Sequence, residues 1–318
     1  VKEGQKVSKK SKAVTPVKNK GNKIKSSNWQ FWLIIALPCI YALMFAYVPM
    51  AGILMAFEDF SPRKGFFGSD WVGLDHFIRF LTSTSSVQVI KNTFILGAYN
   101  ILVTFPIPII LAVAINEVQA KFFKKSVQMI TYAPYFISIV VLVGMLMQMT
   151  DLRTGIFNVL LQKVGIDPIN FFGDAGLFRH LYVWSGVWQT AGYSAIIYIA
   201  ALAGVSPELK EAAVMDGATR LQRIIHVDLP CIMPTIVIML IMSCGNIVNI
   251  GFDKVYLMQN SMNASVSEVI STFVYKVGIT NADYGFSTAA GLFQSVVSLV
   301  LLVSVNKISK KVTDNSLW

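Results

Sequence analysis

The sequence predicts an all-α membrane protein of six transmembrane helices, with both termini on the cytoplasmic side. Three observations lead there. The chain is 54% hydrophobic and only 14% charged, with a mean hydropathy of +0.59, a balance that does not suit a soluble domain. Its apolar residues gather into six stretches, at about 29–57, 90–115, 127–149, 181–205, 230–250 and 285–305. Each reaches the ~20 residues that a helix needs to cross a bilayer. With that topology, eighteen Lys and Arg fall inside and nine outside, the asymmetry that the positive-inside rule requires.

Taken in order, residues 1–28 carry nine lysines against a single acid, Glu3. Few apolar residues accompany them, so a disordered basic tail is expected, held in the cytoplasm and touching anionic lipid. It lacks aromatic interleaving and runs straight into a span, so nucleic acid is not expected as a partner. The apolar stretch that follows is too long for a cleaved signal peptide. The six-span body at 29–311 then begins with a first span containing Pro38 and Pro49. Residues 58–89 read as a mixed external loop, and the second span carries Pro106 and Pro108. Residues 117–125 form a short turn with Lys121, Lys124 and Lys125 before a third span that opens on Tyr132-Ala-Pro-Tyr-Phe-Ile-Ser138. Residues 151–179 are external, with the Gly, Pro and Asn content of turns. Spans four and five flank a polar loop at 206–229. Between spans five and six, residues 265–278 predict a separate external amphipathic helix. Ser265 and Glu268 fit a capping box, Val266, Val269, Ile270, Phe273, Val274 and Val277 share one face, and Gly278 stops the run. At about 20 Å this helix is too short to cross, so it lies along the membrane face or packs on the bundle. Lys307, Lys310 and Lys311 and a tail at 312–318 close the chain.

The polar loop has legible local chemistry. Ser206 caps a helix whose first residue is Pro207, where the missing N–H costs nothing. Glu208 and Glu211 sit in its first turns, where the helix dipole favours negative charge. Ala212 and Ala213 form a small-residue patch open to close approach. Asp216-Gly217 ends the helix, with Gly217 free to take the left-handed conformation. A second short helix from Ala218 carries Arg220 and Arg223, and Leu229-Pro230 returns to apolar sequence. From these features alone, an ordinary helix-turn-helix connector explains the loop. The pattern Glu211-Ala-Ala, Asp216-Gly217-Ala218 and Leu229-Pro230, however, resembles the EAA loop of permease subunits in binding-protein-dependent ABC importers. The family's usual phenylalanine is Ile224 here. Trp71-Val-Gly-Leu-Asp-His-Phe, with Asn92-Thr93, is similar to the family's external segment. The resemblance implies a type I ABC importer permease fold, in which Glu211, Ala212, Ala213, Asp216, Gly217, Ala218, Leu229 and Pro230 couple to an ATPase.

The residues also separate function classes. No charged residue or histidine falls in the middle of a span, which disfavours a proton-driven carrier, although Na⁺ held by carbonyls alone keeps a secondary carrier open. There is no phosphate-binding glycine loop, so the chain is not the ATPase. His76, His180 and His226 are scattered, without a HExxH or paired-carboxylate arrangement, so no catalytic or metal site is expected and the chain is not an enzyme. Cys39, Cys231 and Cys244 lie in apolar sequence without metal-ligand spacing.

A substrate path is expected from Tyr135, Trp188, Gln189, Thr190 and Tyr193, with Asn246 and Asn249 on span five. Packing and helix–helix hydrogen bonding explain the same residues. The combination of aromatic faces and amides nevertheless suits a sugar, and the lack of buried charge suits a neutral or weakly charged one. The resemblance is nearest to oligosaccharide- or polysaccharide-type permeases. It implies a second homologous permease, an ABC ATPase dimer that binds ATP and Mg²⁺ in place of this chain, and an external solute-binding protein, all in a bacterial plasma membrane. The same machine carrying a peptide or a glycerol phosphate is the alternative.

Overall fold

The structure is a computed structural model that describes residues 29–313, 316 and 317. The basic tail at 1–28 and positions 314, 315 and 318 of the C-terminal tail lie outside the described residues. Among the described residues, four helices are long and apolar enough to cross a membrane, and the number is six if each of two bent pairs counts as one span. The chain divides into two units, 1–51 and 52–318.

In the first unit, α1 (Trp29–Ala42) contains Pro38 and continues into a π turn, Leu43–Tyr47, in which the Val48 N–H donates to the Leu43 carbonyl. A 3-10 stretch, Val48–Phe57, carries the helix on past Pro49 and runs over the boundary at residue 51. Proline has no N–H to give the preceding turn, and these changes of helical register absorb the missing donor.

The second unit opens with a two-residue antiparallel ladder of β1 (Glu58–Asp59) and β2 (Asp70–Trp71), then α2 (Asp75–Thr82). The predicted loop at 58–89 is therefore partly helical. Span two is α3 (Thr84–Thr104) joined to α4 (Pro106–Glu117), and it starts six residues earlier than the hydropathy indicates. Span three is the main correction. It is not one rod but α5 (Lys121–Tyr132), a 3-10 turn at Ala133–Phe136, and α6 (Ile139–Met149), with the two helices bent by 99°. Pro134 cannot continue the α5 ladder, and Ser138, extended at ψ 151°, restarts a helix by accepting the Val141 N–H at 3.3 Å. The predicted turn at 117–125 shrinks accordingly, because its lysines already stand on α5. The next segment holds α7 (Ile156–Lys163), where only turns were expected.

Span four is the 29-residue α8 (Ala175–Ala203), capped by Asp174 through the Gly176 N–H at 2.7 Å. A 74° bend leads to α9 (Pro207–Met215). The second helix of the loop, α10 (Arg220–Arg223), begins after Thr219 and is not a separate element. It passes through a π turn at Ile224–Asp228 into α11 (Leu229–Gly245), making one continuous helix from Arg220 to Gly245. The helix ends at Gly245, so Asn246 and Asn249 stand on a turn and not on span five as expected.

Next comes α12 (Phe252–Met258). The predicted single helix at 265–278 is broken into α13 (Ala264–Ser267) and α14 (Ile270–Tyr275), with a π turn at Lys276–Thr280 that contains Gly278. The break is stabilised from span two. Asn92 donates to the carbonyls of Ser265 and Glu268, at 2.9 and 3.1 Å, and Thr93 Oγ1 accepts the Ile270 N–H at 2.9 Å. Glu268 does not reach back to cap but pairs with Lys276 at 2.6 Å. The apolar face is buried in the bundle, the second of the two placements expected for it. Span six is α15 (Tyr284–Thr313), nine residues longer than predicted and carrying the terminal lysines.

Core packing centres on α8. Val183 and Phe178 meet Leu96, Val143, Val255 and Met258 in one cluster, and Ala195, Tyr198 and Leu202 meet Ala112 and Ile232 in another. A third cluster joins α2, α3, α14 and α15 around Phe80, Ile270 and Phe286. Glycines set two of the closest approaches. A Cβ on Gly192 would collide with the Thr131 carbonyl, and one on Gly97 with the Ile247 carbonyl. Small residues of this kind let membrane helices approach backbone to backbone.

Candidate functional site

The loop between spans four and five is built by local signals. Ser206 Oγ accepts the Glu208 N–H at 3.2 Å. At the other end of α9, the Ala218 N–H donates to the Ala213 carbonyl at 2.9 Å, and Gly217 N–H to Val214 at 3.0 Å. This is a Schellman ending, and it needs the positive φ of +78° that Gly217 adopts. Thr219 and Gln222 then cap each other to start α10, with the Thr219 N–H donating to Gln222 Oε1 at 2.7 Å.

The result is a projecting helix with an open face. Glu211 and Ala212 are exposed, and so are Leu209, Val214 and Met215, the last at 86%. Ala213, Asp216, Gly217 and Ala218 surround a concavity of about 330 Å³ with Gln222 and His226. Leu229 and Pro230 are not part of it; they lie beyond the π turn, where Leu229 packs into the core. Two ion pairs tie the loop down. Lys210 approaches the buried Asp228 at 3.0 Å, off the hydrogen-bond axis, and Arg223 meets Glu117 at the end of α4 at 3.6 Å. Lys210→Met is expected to lower the abundance of the protein in membranes, because it leaves the Asp228 carboxylate buried without a counter-charge, a loss of roughly 1–3 kcal/mol. Adding Asp228→Asn should restore most of it. Immunoblots of the two strains check this, and a double variant as poor as the single one would refute the pairing.

The residues expected on the substrate path fall into two groups. In the first, Tyr135 and Tyr193 stack with centroids 3.7 Å apart and planes 5° from parallel, both half-exposed. Trp188 is also half-exposed. Gln189 is buried, and its Nε2 donates to the Ile137 carbonyl at 2.9 Å, satisfying an acceptor freed by the bend in span three. Thr190 Oγ1 returns to the Gly186 carbonyl at 2.9 Å.

The second group lines a cavity of about 390 Å³ between α3, α8 and α11, where Asn246 and Asn249 meet Asn100, Thr104, Tyr182 and Ser243. Gln294 of α15 reaches in to donate to Asn249 Oδ1 at 2.8 Å and to the Val248 carbonyl at 3.0 Å. Asn249 in turn donates to Asn246 Oδ1 at 3.3 Å. Tyr182 and Tyr193 share a face of α8, so the two groups are about 16 Å apart along it. Asn100, Thr104, Ser243 and Gln294 were not anticipated. Their signal is an isolated polar residue in apolar sequence, which hydropathy averages away.

Behind this cavity lies Lys254. It is buried, donates to the Tyr182 carbonyl at 2.8 Å, and sits 4.7 Å from the Tyr182 ring centroid. No carboxylate pairs with it among the described residues. Burial pushes its ammonium down to about 8. Among the described residues, no cluster of His, Cys, Asp or Glu could hold a metal.

Residues 104–314 match the model of a family described as "Binding-protein-dependent transport system inner membrane component". The polygalacturonan/rhamnogalacturonan transport system permease protein YteP of Bacillus subtilis (strain 168) is 41% identical over 296 residues, covering 93% of this chain and 92% of its own. Among solved structures, the chain is similar to a subunit of a bacterial ABC transporter involved in the import of the acidic polysaccharide alginate. That subunit has a TM-score of 0.84 and 38% identity, over 90% of this chain and 96% of the other. A bacterial alginate transporter in complex with an alginate pentasaccharide-bound periplasmic protein also contains a similar chain. It has the same TM-score at 37% identity, over 91% and 97%.

Proposed function

The chain belongs to the inner membrane components of binding-protein-dependent transport systems, and from that premise we propose that it moves an oligosaccharide inward, from a solute-binding protein through the cavity at Asn246 and Asn249. It is a multi-pass protein of the bacterial plasma membrane and a transport subunit, not an enzyme. It works in an ABC importer with an ATPase and a solute-binding protein. A second homologous permease completes the translocation path, an ATPase dimer carrying ATP and Mg²⁺ seats on α9, lipid surrounds the spans, and nucleic acid has no part. Both termini face the cytoplasm in this reading.

The observation that carries the cargo class is the amide-rich wall of the cavity. Asn100, Asn246, Asn249 and the neighbouring Gln294 offer donors and acceptors together, the chemistry that matches sugar hydroxyls, and no carboxylate lines the space. A second feature concerns charge. Lys254 sets an uncompensated cation behind Tyr182, which lines the cavity, and YteP is named for polygalacturonan/rhamnogalacturonan and the similar importer for the acidic polysaccharide alginate. We therefore favour a carboxylate-bearing oligosaccharide over the neutral or weakly charged one that uncharged spans imply. In proteoliposomes holding the whole importer and its binding protein, ATP-dependent uptake of a galacturonate trisaccharide is expected to exceed that of maltotriose. Uptake of a peptide or glycerol phosphate but neither sugar would refute the proposal, and uptake without ATP would point to a secondary carrier. Trp188→Ala should lower uptake several-fold with the complex still assembled. Failure to assemble would make Trp188 a packing residue.

A further inference from the structure

Phe252 and Tyr256 stand one turn apart on α12 and stack with centroids 5.1 Å apart. Tyr275, at the end of α14, meets Phe252 at 5.0 Å and Tyr256 at 5.4 Å. The opposite face of α12 is already buried through Lys254, Val255 and Met258, so the three rings are not needed to seat the helix. They face outward instead, with Tyr256 42% and Tyr275 37% exposed. Beside them opens a cavity of about 410 Å³, lined by Phe252, Tyr275, Tyr284, Ser271, Ser287 and Thr288, with Gly278. The hydroxyls of Ser271, Ser287 and Thr288 donate to backbone carbonyls, at 3.3, 3.0 and 2.7 Å, which leaves their lone pairs free to accept.

This space adjoins the cavity at Asn246 and Asn249. Gly251 lines one and Phe252 the other, and Ser271 Oγ bonds the Ile250 carbonyl between them. We infer that the aromatic trio and its hydroxyl-lined cavity form a second carbohydrate subsite, which takes a further pyranose ring of the same chain whose other end occupies the amide cavity. Flat rings with a polar rim suit a pyranose, which offers C–H faces to aromatics and hydroxyls at its edge. The inference rests on the oligosaccharide reading above and adds a length requirement to it.

The test uses the reconstituted importer with its binding protein and galacturonate oligosaccharides of two to five residues. Tyr275→Ala and Tyr256→Leu are expected to raise KM for the tetra- and pentasaccharide roughly three- to tenfold, leaving the disaccharide within a factor of two. Tyr275→Phe, which keeps the ring, should behave almost as wild type. Equal losses at every length, or loss of assembly in Tyr256→Leu and Tyr275→Ala alike, would make the trio a packing or partner surface and overturn the inference, as would unchanged kinetics for all lengths. If the wild-type importer takes up none of these sugars while assembled and hydrolysing ATP, the cargo reading itself fails. That outcome is distinct from a wild type that works with variants that do not discriminate length.

Discussion

Replacing Gly217 with valine is expected to abolish uptake and to reduce sharply the ATPase that co-purifies with the permease. The residue has φ +78°, and a Cβ there would meet nothing within 4 Å. The damage is therefore conformational and not a clash. A left-handed backbone costs an ordinary residue roughly 1–2 kcal/mol, and a β-branched one more. A penalty of that size does not unfold a six-span protein, but it is enough to undo the two hydrogen bonds that end α9 and set its angle to α10. Gly217→Asn, which tolerates the left-handed region, should keep most of the activity. Glu211→Ala should give only a partial defect, because an exposed ionic contact contributes little. Uptake and ATPase pull-down on the same membranes, with permease abundance checked by immunoblot, decide the matter. Normal uptake by Gly217→Val would mean that the loop is only a connector.

Gly97→Val is expected to act differently, by removing the protein from the membrane. Gly97 is buried on α3, and a Cβ there would strike the backbone carbonyl of Ile247, which cannot rotate away as a side-chain tip would. Overpacking of this kind costs typically 1–3 kcal/mol, and valine brings two further methyl groups to the same spot. The turn that would have to yield is the one presenting Asn246 and Asn249, so any protein that survives should also be defective in uptake. Gly144→Val on α6 is the control, since nothing lies within 4 Å of a Cβ there. Equal abundance of the two variants would show that α3 and the 246–249 turn are not in close contact.

These two glycines also mark what the sequence could and could not announce. Gly217 was legible because every partner that defines its turn lies within six residues: Ala213, Val214 and Ala218 supply the whole motif. Gly97 was not, because its reason is a carbonyl 150 residues later. The same division runs through the fold. Long apolar stretches reported the spans, and Pro134 followed by Ser138 already carried the signal for the bend in span three, although hydropathy alone runs straight through it. The break between α13 and α14 had no local sign, since Ser265 and Glu268 make a plausible cap. It is Asn92 and Thr93, more than 170 residues away in sequence, that satisfy the interrupted backbone, Asn92 by donating to it and Thr93 by accepting from it. At the candidate substrate site, aromatic and amide residues were identifiable by type. Their division into two groups follows from where α11 stops, and the apolar run Ile247-Val248 concealed that end.

The unbroken course from Arg220 to Gly245 has a mechanical consequence. A helix of 26 residues is about 39 Å long, and a helix bends far less readily than it tilts. Whatever moves its foot by a few degrees displaces its tip by a few ångströms, the scale of a hydrogen bond made or lost. The foot is the loop that Lys210 and Asp228 hold, and the tip is the turn bearing Asn246 and Asn249. The π turn at Ile224–Asp228 interrupts the α-helical ladder of this lever near its foot. Deleting one of its five residues would leave both ends chemically intact and make the ladder α-helical throughout, so the stiffer lever would carry the amide turn more closely with the loop.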